Sequence, residues 1–193
     1  MRIEYLKKPF YHTIIYDFFS HDELDIIKNE INQLEHRDSE KDEHHRLVLE
    51  NGNVESYLLD VIYNDQRRDS NILSLITKIY NMYWDSKLDV DKNPFLNYIG
   101  LSNADNTVIQ AYKNDSSYFE HHDQSVVSFV YPFFEKPFDG GELIFGDYIP
   151  KLESNCCLIF PSYEKHKVLP IKSKESGTVR WSINQRIFIR NGV

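Results

Sequence analysis

The sequence predicts a mainly β fold introduced by a helical region, and three observations carry that prediction. Helical periodicity is confined to about the first 95 of the 193 residues. Short β-branched and aromatic runs, parted by Gly, Pro, Asn and Asp, fill the rest. No repeat, low-complexity tract or membrane-length apolar run interrupts the chain. One domain spanning 1–193 is therefore expected, with a helical support region over about 1–95 and a β-sandwich or barrel over about 96–193.

The first helix should start after "DFFSHDEL". Ser20 and Glu23 have capping-box spacing, in which the hydroxyl and the carboxylate each satisfy a free backbone N–H. Leu24, Ile27, Ile31 and Leu34 then share one face. The polar stretch "EHRDSEKDEHHRLVLENGN" reads as a surface excursion with a turn at Asn51-Gly52-Asn53. A second helical region covers "SNILSLITKIYNMYWDSKL", where Ile72, Leu73, Leu75, Ile76, Ile79 and Met82 make a broad apolar side. Strands are expected at "TVIQAY", "SVVSFVYPF", "GELIFG", "NCCLIFP", "KVLPI" and "VRWSINQRIFI".

Charge and cysteine usage narrow the function classes. With 22 basic and 30 acidic residues the formal charge is -8, which speaks against a nucleic-acid groove, since phosphate binding needs a basic stripe. The adjacent Cys156 and Cys157 would point to opposite faces of a strand, a poor geometry for a disulfide. They read as core residues of an intracellular protein. The opening "MRIEYLKKPFYHTIIYDFFS" lacks the apolar run of a signal peptide, so a cytoplasmic protein without a membrane partner is expected.

The chemistry concentrates in "YFEHHDQS". In an extended segment His121 and Asp123 share one face and His122 takes the other. Five of the eight histidines, His12, His21, His36, His44 and His45, precede residue 50, and the charges around His44 and His45 mark those two as solvated. Apart from His122, that leaves His166 in "FPSYEKHKVLPI", just past an apolar strand. Two imidazoles and one carboxylate form a facial triad, which leaves three coordination positions open on Fe(II). A single His-x-Asp triplet binds nothing in most proteins, and His166 alone reads equally as a rim histidine. Gly140-Gly141 before "ELIF" permits either a plain hairpin turn or a bulge.

His121-x-Asp123, "GGELIF" at 140–145, "LIFPSYEKHKVLP" at 158–170 and "GTVRWSIN" at 177–184 follow one another in the β-rich half. Together they resemble the 2-oxoglutarate-dependent Fe(II) dioxygenases, most closely the prolyl 4-hydroxylase-like branch. The N-terminal "FYHTIIYDFFSHDELDIIKNEI" is similar to the strand-then-helix opening of that branch, so the resemblance covers most of the chain outside the charged excursion. It implies a double-stranded β-helix (jelly-roll) core, with His121, Asp123 and His166 as iron ligands. Arg180 is implied as the clamp on the far carboxylate of 2-oxoglutarate, a task suited to a guanidinium that grips through two parallel hydrogen bonds. Tyr131 is implied beside that carboxylate, Tyr112 near the cosubstrate's metal-binding end, and Ser182 as a further hydroxyl on Arg180's side. Each tyrosine reads equally as a core aromatic in a chain with 13 of them. Two departures stand out. "KNDSS" follows Tyr112 where the family often has a glycine, and "KSKES" lengthens the gap between His166 and Arg180, with Lys172 and Lys174 as nearby cations.

The implied reaction consumes O2 and 2-oxoglutarate, releases succinate and CO2, and hydroxylates an unactivated C–H bond, with ascorbate in support. Asp123 favours hydroxylation, because the related halogenases lack this carboxylate. The implied substrate is a peptidyl proline or another protein residue, by similarity to that branch, with a free amino acid or another small molecule as the second reading. A cupin-like metal-binding module without turnover is a third reading, and Arg180 weighs against it. A nucleic-acid demethylase of the same superfamily is disfavoured by the acidic charge.

Overall fold

The computed structural model describes residues 1–37, 46–49 and 54–190. The chain opens with an antiparallel ribbon, β1 (Arg2–Leu6) and β2 (His12–Tyr16), and enters helix α1 (His21–Arg37) through Ser20. The capping box forms as its spacing requires. Glu23 N–H donates to Ser20 Oγ at 3.2 Å, and Ser20 N–H donates to Glu23 Oε2 at 2.7 Å. Ile27, Ile31 and Leu34 are buried along the helix. Strands β3 (Arg46–Leu49) and β4 (Val54–Leu58) come next, followed by α2 (Leu59–Tyr63). The second helical region is broken at Thr77 into α3 (Asn71–Ile76) and α4 (Lys78–Trp84), where the Thr77 hydroxyl donates to the Ser74 carbonyl. Helix α5 (Asn97–Leu101) precedes the strand-rich part.

That part supplies β5 (Ala104–Tyr112), β6 (Tyr118–His121), β7 (Val127–Phe133), β8 (Asp139–Gly140) and β9 (Leu143–Ile144). It continues with β10 (Cys157–Pro161), β11 (His166–Val168), β12 (Ile171–Lys172) and β13 (Arg180–Phe188). Eight strands form one antiparallel sheet in the order β1-β2-β10-β7-β13-β5-β4-β3. A second sheet is ordered β6-β11-β9, and β12 pairs with β8. From β5 onward the chain passes back and forth between the large sheet (β5, β7, β10, β13) and the small ones (β6, then β8 and β9, then β11 and β12), which is the winding of a jelly roll.

The expectation of a helical region over about 1–95 needs correction: β1 to β4 supply half of the large sheet. Pairing, not composition, makes β4 a strand. Tyr57 lies opposite Ile109 of β5 and Glu55 opposite Ala111, so a partner strand stabilises a segment whose surroundings read as polar surface. His44, His45 and the expected turn at 51–53 lie outside the described residues.

Both faces of the large sheet are buried. Toward the helices, Phe129, Tyr131 and Ile183 pack in one cluster with Ile27, Ile76 and Ile79. Toward the small sheets, Tyr112, Val130, Leu143, Phe160 and Val168 form a second cluster. Each fully buried side chain of this size contributes roughly 1.5–3 kcal/mol. Cys156 and Cys157, both free thiols, enter opposite clusters as strand alternation requires. Gly140 and Gly141 have φ of +75° and +71°, and a Cβ on Gly140 would run into the Pro170 carbonyl, so this tight link to β12 needs glycine. Among the described residues no helix is long and apolar enough to cross a membrane.

Candidate metal centre

The small sheet brings the predicted ligands together. His121 ends β6, His166 begins β11, and the two face each other in the strand register. Asp123 follows two residues after His121, and its N–H donates to the Ser162 carbonyl at 2.9 Å, which turns the chain back beneath the histidines. His121 Nε2 lies 3.7 Å from Asp123 Oδ1, and His166 Nε2 lies 3.9 Å from Asp123 Oδ2. One ligand atom from each of the three residues falls within 4.8 Å of the others. Among the described residues this is the one such cluster of three His, Cys, Asp or Glu side chains. His122 is exposed and outside it.

Hydrogen bonding settles which nitrogens face the centre. His121 Nδ1 lies 2.9 Å from the Phe119 carbonyl and His166 Nδ1 lies 2.8 Å from the Glu164 carbonyl. A carbonyl can only accept, so both Nδ1 atoms carry a proton, and Nε2 is the nitrogen each ring turns toward Asp123. Burial is the main influence on His166, and against the pull of the Glu164 carbonyl bond it pushes the imidazole down to about 4. The ring is therefore neutral near pH 7, as a metal ligand must be. Burial alone would raise Asp123, but the Arg186 guanidinium, the Ser128 hydroxyl and the two imidazoles outweigh it and hold the carboxyl below its usual range.

Arg186 and Ser128 were not anticipated from the sequence. Arg186 Nε donates to Asp123 Oδ1 at 2.7 Å, and Ser128 Oγ donates to Oδ2 at 2.6 Å. Ser162 Oγ lies 2.8 Å from Ser128 Oγ and 2.6 Å from Ser125 Oγ, extending the network behind the carboxylate. The signal was available for Arg186: residues 180, 182, 184 and 186 share one face of β13, so it sits on the same side as Arg180.

Of the residues expected around the cosubstrate, Arg180, Tyr112 and Ser182 line the same pocket as the triad. Arg180 stands opposite Tyr112 in the register, with its guanidinium 5.1 Å from the Tyr112 ring centre. It is buried, and its Nη1 has no hydrogen-bond partner. Burial pushes this cation below its ordinary value, a cost that an anionic ligand would relieve. Lys172 and Lys174 are exposed. Tyr112 O–H donates to Gln110 Oε1 at 2.8 Å, Asn184 Nδ2 donates to the same oxygen at 3.0 Å, and Ser182 Oγ donates to Asn184 Oδ1 at 3.1 Å. These side chains give the pocket a polar wall.

Tyr131 is not in the pocket. It points to the opposite face of the large sheet, packs on Phe18 and Phe19 with ring centres 5.2 and 5.7 Å away, and donates to Gln185 Oε1 at 3.1 Å. Its place beside the cosubstrate carboxylate is thus corrected to the core-aromatic reading, because strand alternation gives that face of β7 to Ser128 and Val130.

Two imidazole nitrogens and a carboxylate would suit a divalent first-row metal such as iron. The unpartnered Arg180 nitrogen fits a dicarboxylate that reaches from that metal. A larger cavity, about 200 Å³, lies beside α1, where Lys28 and Lys136 are paired with Glu135 and Glu175. It has none of these features.

Comparison with known proteins supports the fold independently. No known family's sequence profile matches the chain, and no curated protein matches it. Solved structures do match. A viral collagen prolyl hydroxylase from Paramecium bursaria Chlorella virus-1, in a 2-oxoglutarate complex, has a TM-score of 0.59 at 16% identity, covering 94% of this chain and 98% of that one. A Pseudomonas putida prolyl-4-hydroxylase has a TM-score of 0.56 at 17% identity, covering 93% of each chain. A Trichoplax adhaerens prolyl hydroxylase, in complex with a hypoxia-inducible-factor peptide fragment, has a TM-score of 0.60 at 13% identity, covering 92% and 83%. The chain shares the fold of these oxygenases over nearly its whole length.

Proposed function

We propose that residues 1–193 act as one catalytic domain, an Fe(II)- and 2-oxoglutarate-dependent dioxygenase that hydroxylates an unactivated C–H bond. The observation that carries this reading is the pairing of a His121–Asp123–His166 ligand cluster with a buried, unpartnered guanidinium on the same pocket wall. A metal store has no use for the second part. The substrate favoured is a peptidyl residue, proline first, by the shared fold and by the peptide that the Trichoplax enzyme holds. Free, buried thiols favour a cytoplasmic setting.

The chain's own groups divide the work. His121, Asp123 and His166 would hold Fe(II) from one side, their rings fixed by the Phe119 and Glu164 carbonyls. Arg186 and Ser128 keep the Asp123 carboxylate in place and ionised. Arg180 takes the far carboxylate of 2-oxoglutarate, while Tyr112, Gln110, Ser182 and Asn184 line its path. Bound there, iron supplies the activation of O2 coupled to decarboxylation of 2-oxoglutarate to succinate and CO2, with ascorbate as supporting reductant. The pocket walls orient the substrate C–H bond and exclude water.

The test is succinate release from 2-oxoglutarate with Fe(II), O2 and ascorbate. Wild type should turn over and His166→Ala should lose at least about 100-fold, since a removed ligand exceeds the 10- to 100-fold loss of an outer-shell partner. A peptide panel run beside free amino acids, read by mass spectrometry for the gain of one oxygen, identifies the substrate class. Metal binding without succinate in any condition would establish a binding module instead.

A further inference from the structure

Arg180 and Arg186 share the pocket face of β13, and their unequal exposure orients the site. Arg180 is 4% exposed and Ser182 2%, whereas the Arg186 side chain is 22% exposed. The pocket is therefore closed at the Arg180 end and open at the Arg186 end, beside Asp123. Charge inside it runs against the chain's -8. Apart from His121 and His166, the ionisable acids and bases that line it are Asp123, Arg180 and Arg186, one acid against two bases. Glu120 and Glu164, close to the histidines in sequence, are not part of the lining. Arg186 uses one donor on Asp123, Nε at 2.7 Å. Across the strands it stands opposite Asn106 and Ser128, neither of them an acid. Its Nη groups donate to no described residue and are not shut off from solvent, so their N–H donors are open.

We propose that Arg186 reads the substrate, its open edge binding a carboxylate that the substrate carries near the oxidised C–H bond. The inference rests on the oxygenase reading above and adds the charge of the substrate to it. In the loaded site the charges of 2-oxoglutarate answer those of Fe(II), and Asp123 answers one of the two arginines. One positive charge is left over, and Arg186 is the cation at the open end. A carboxylate restores neutrality, whereas a phosphate dianion overshoots it. The chain's overall charge gives an anion no general attraction, so recognition falls to this one contact. The guanidinium can offer parallel donors to a carboxylate while Nε keeps its bond to Asp123. That carboxylate has two sources: an Asp or Glu side chain flanking the target residue of a peptide, or the α-carboxylate of a free amino acid.

The experiment is anaerobic isothermal titration of the full chain, saturated with Fe(II) and 2-oxoglutarate, with matched probe pairs. Acetyl-Pro-Asp-amide is compared with acetyl-Pro-Asn-amide, acetyl-Asp-Pro-amide with acetyl-Asn-Pro-amide, and L-proline with L-prolinamide. At least one carboxylate should bind about tenfold or more tightly than its amide partner, the size expected of a charge-assisted hydrogen bond. The pair that shows the preference tells a peptide side chain from an α-carboxylate. Arg186→Gln should bring that ratio to about one, and Arg186→Lys should keep part of it. Each ratio is taken within one protein at saturating metal, so a loss of iron affinity cancels. A role for Arg186 confined to holding Asp123 would leave the preference intact in Arg186→Gln, and that result overturns the proposal. The visible charge-transfer absorption of an iron-bound 2-oxo acid reports separately that the site is loaded. A loaded wild-type site with no carboxylate preference in any pair also overturns the proposal and leaves the oxygenase reading standing. Bound iron without that absorption overturns both.

Discussion

Along β7, Phe129, Tyr131 and Phe133 turn toward the helices, whereas Ser128 and Val130 turn toward the small sheets. Along β13, Ile183 and Ile187 take the helix side, whereas Arg180, Ser182, Asn184 and Arg186 line the pocket. The same strands thus build a dry apolar face and a polar one. The pleat separates them along β13, so its polar side chains gather on the pocket side among the apolar residues of the second cluster. Rigid packing behind the sheet is what holds polar groups at fixed distances in front of it. The two histidines of the candidate centre sit across the gap on β6 and β11, where two short strands need only a register to bring His121 and His166 together.

If the two faces are separable, damage to one should spare the other. Phe129→Ala is the severest test, since Phe129 is fully buried in the helix-side cluster and also borders the pocket beside Ser128 and Val130. It should cost about 3–5 kcal/mol of stability by denaturant unfolding. Iron affinity of the folded fraction should stay at the wild-type value. A parallel loss of iron affinity would show that the faces are mechanically coupled.

Much of this division was legible in the sequence, and the failures have physical causes. His121 and Asp123 could be paired because alternation is reliable over three residues and because histidine is scarce beyond residue 50. The capping box at Ser20 is a local motif and formed as spaced. Tyr131 failed because "SVVSFVYPF" is apolar or small throughout, so its periodicity does not say which residues face the pocket. Strands β3 and β4 failed because β4 is held by long-range pairing with β5 and β3 in turn by pairing with β4, contacts that no local pattern in the sequence announces. Arg186 has the parity of Arg180, but its partner Asp123 is 63 residues away and no local pattern announces the contact.

A smaller effect probes the pocket side alone. Arg186→Met keeps the apolar stem and removes the donor to Asp123 Oδ1. Two effects oppose each other here. Losing a nearby cation favours Fe(II) electrostatically, and losing the hydrogen bond frees the carboxylate to rotate. Orientation should win, lowering iron affinity by about 10- to 100-fold in a competitive chelator titration. A gain in affinity would instead identify Arg186 as a competitor for the carboxylate.

The two tyrosines give the finest comparison, because each donates its hydroxyl to a glutamine oxygen and they lie on opposite faces. Tyr131 O–H serves Gln185 Oε1, and Gln185 is fully buried, so Tyr131→Phe strips a buried acceptor of that donor. The expected cost is about 1–3 kcal/mol of stability, with the KM for 2-oxoglutarate unchanged. Tyr112 O–H serves Gln110 Oε1, which also accepts from Asn184 Nδ2 at 3.0 Å. Tyr112→Phe therefore leaves that oxygen a second donor, and stability should fall by only about 0.5–1 kcal/mol. Its effect should appear in the KM for 2-oxoglutarate, raised about two- to fivefold, because about 0.5–1 kcal/mol of cosubstrate contact corresponds to a factor of that size. Paired measurements of melting temperature and KM should then move in opposite proportion for the two variants. An unchanged KM in Tyr112→Phe would return Tyr112 to the role of core aromatic, the role that Tyr131 already has on the other face.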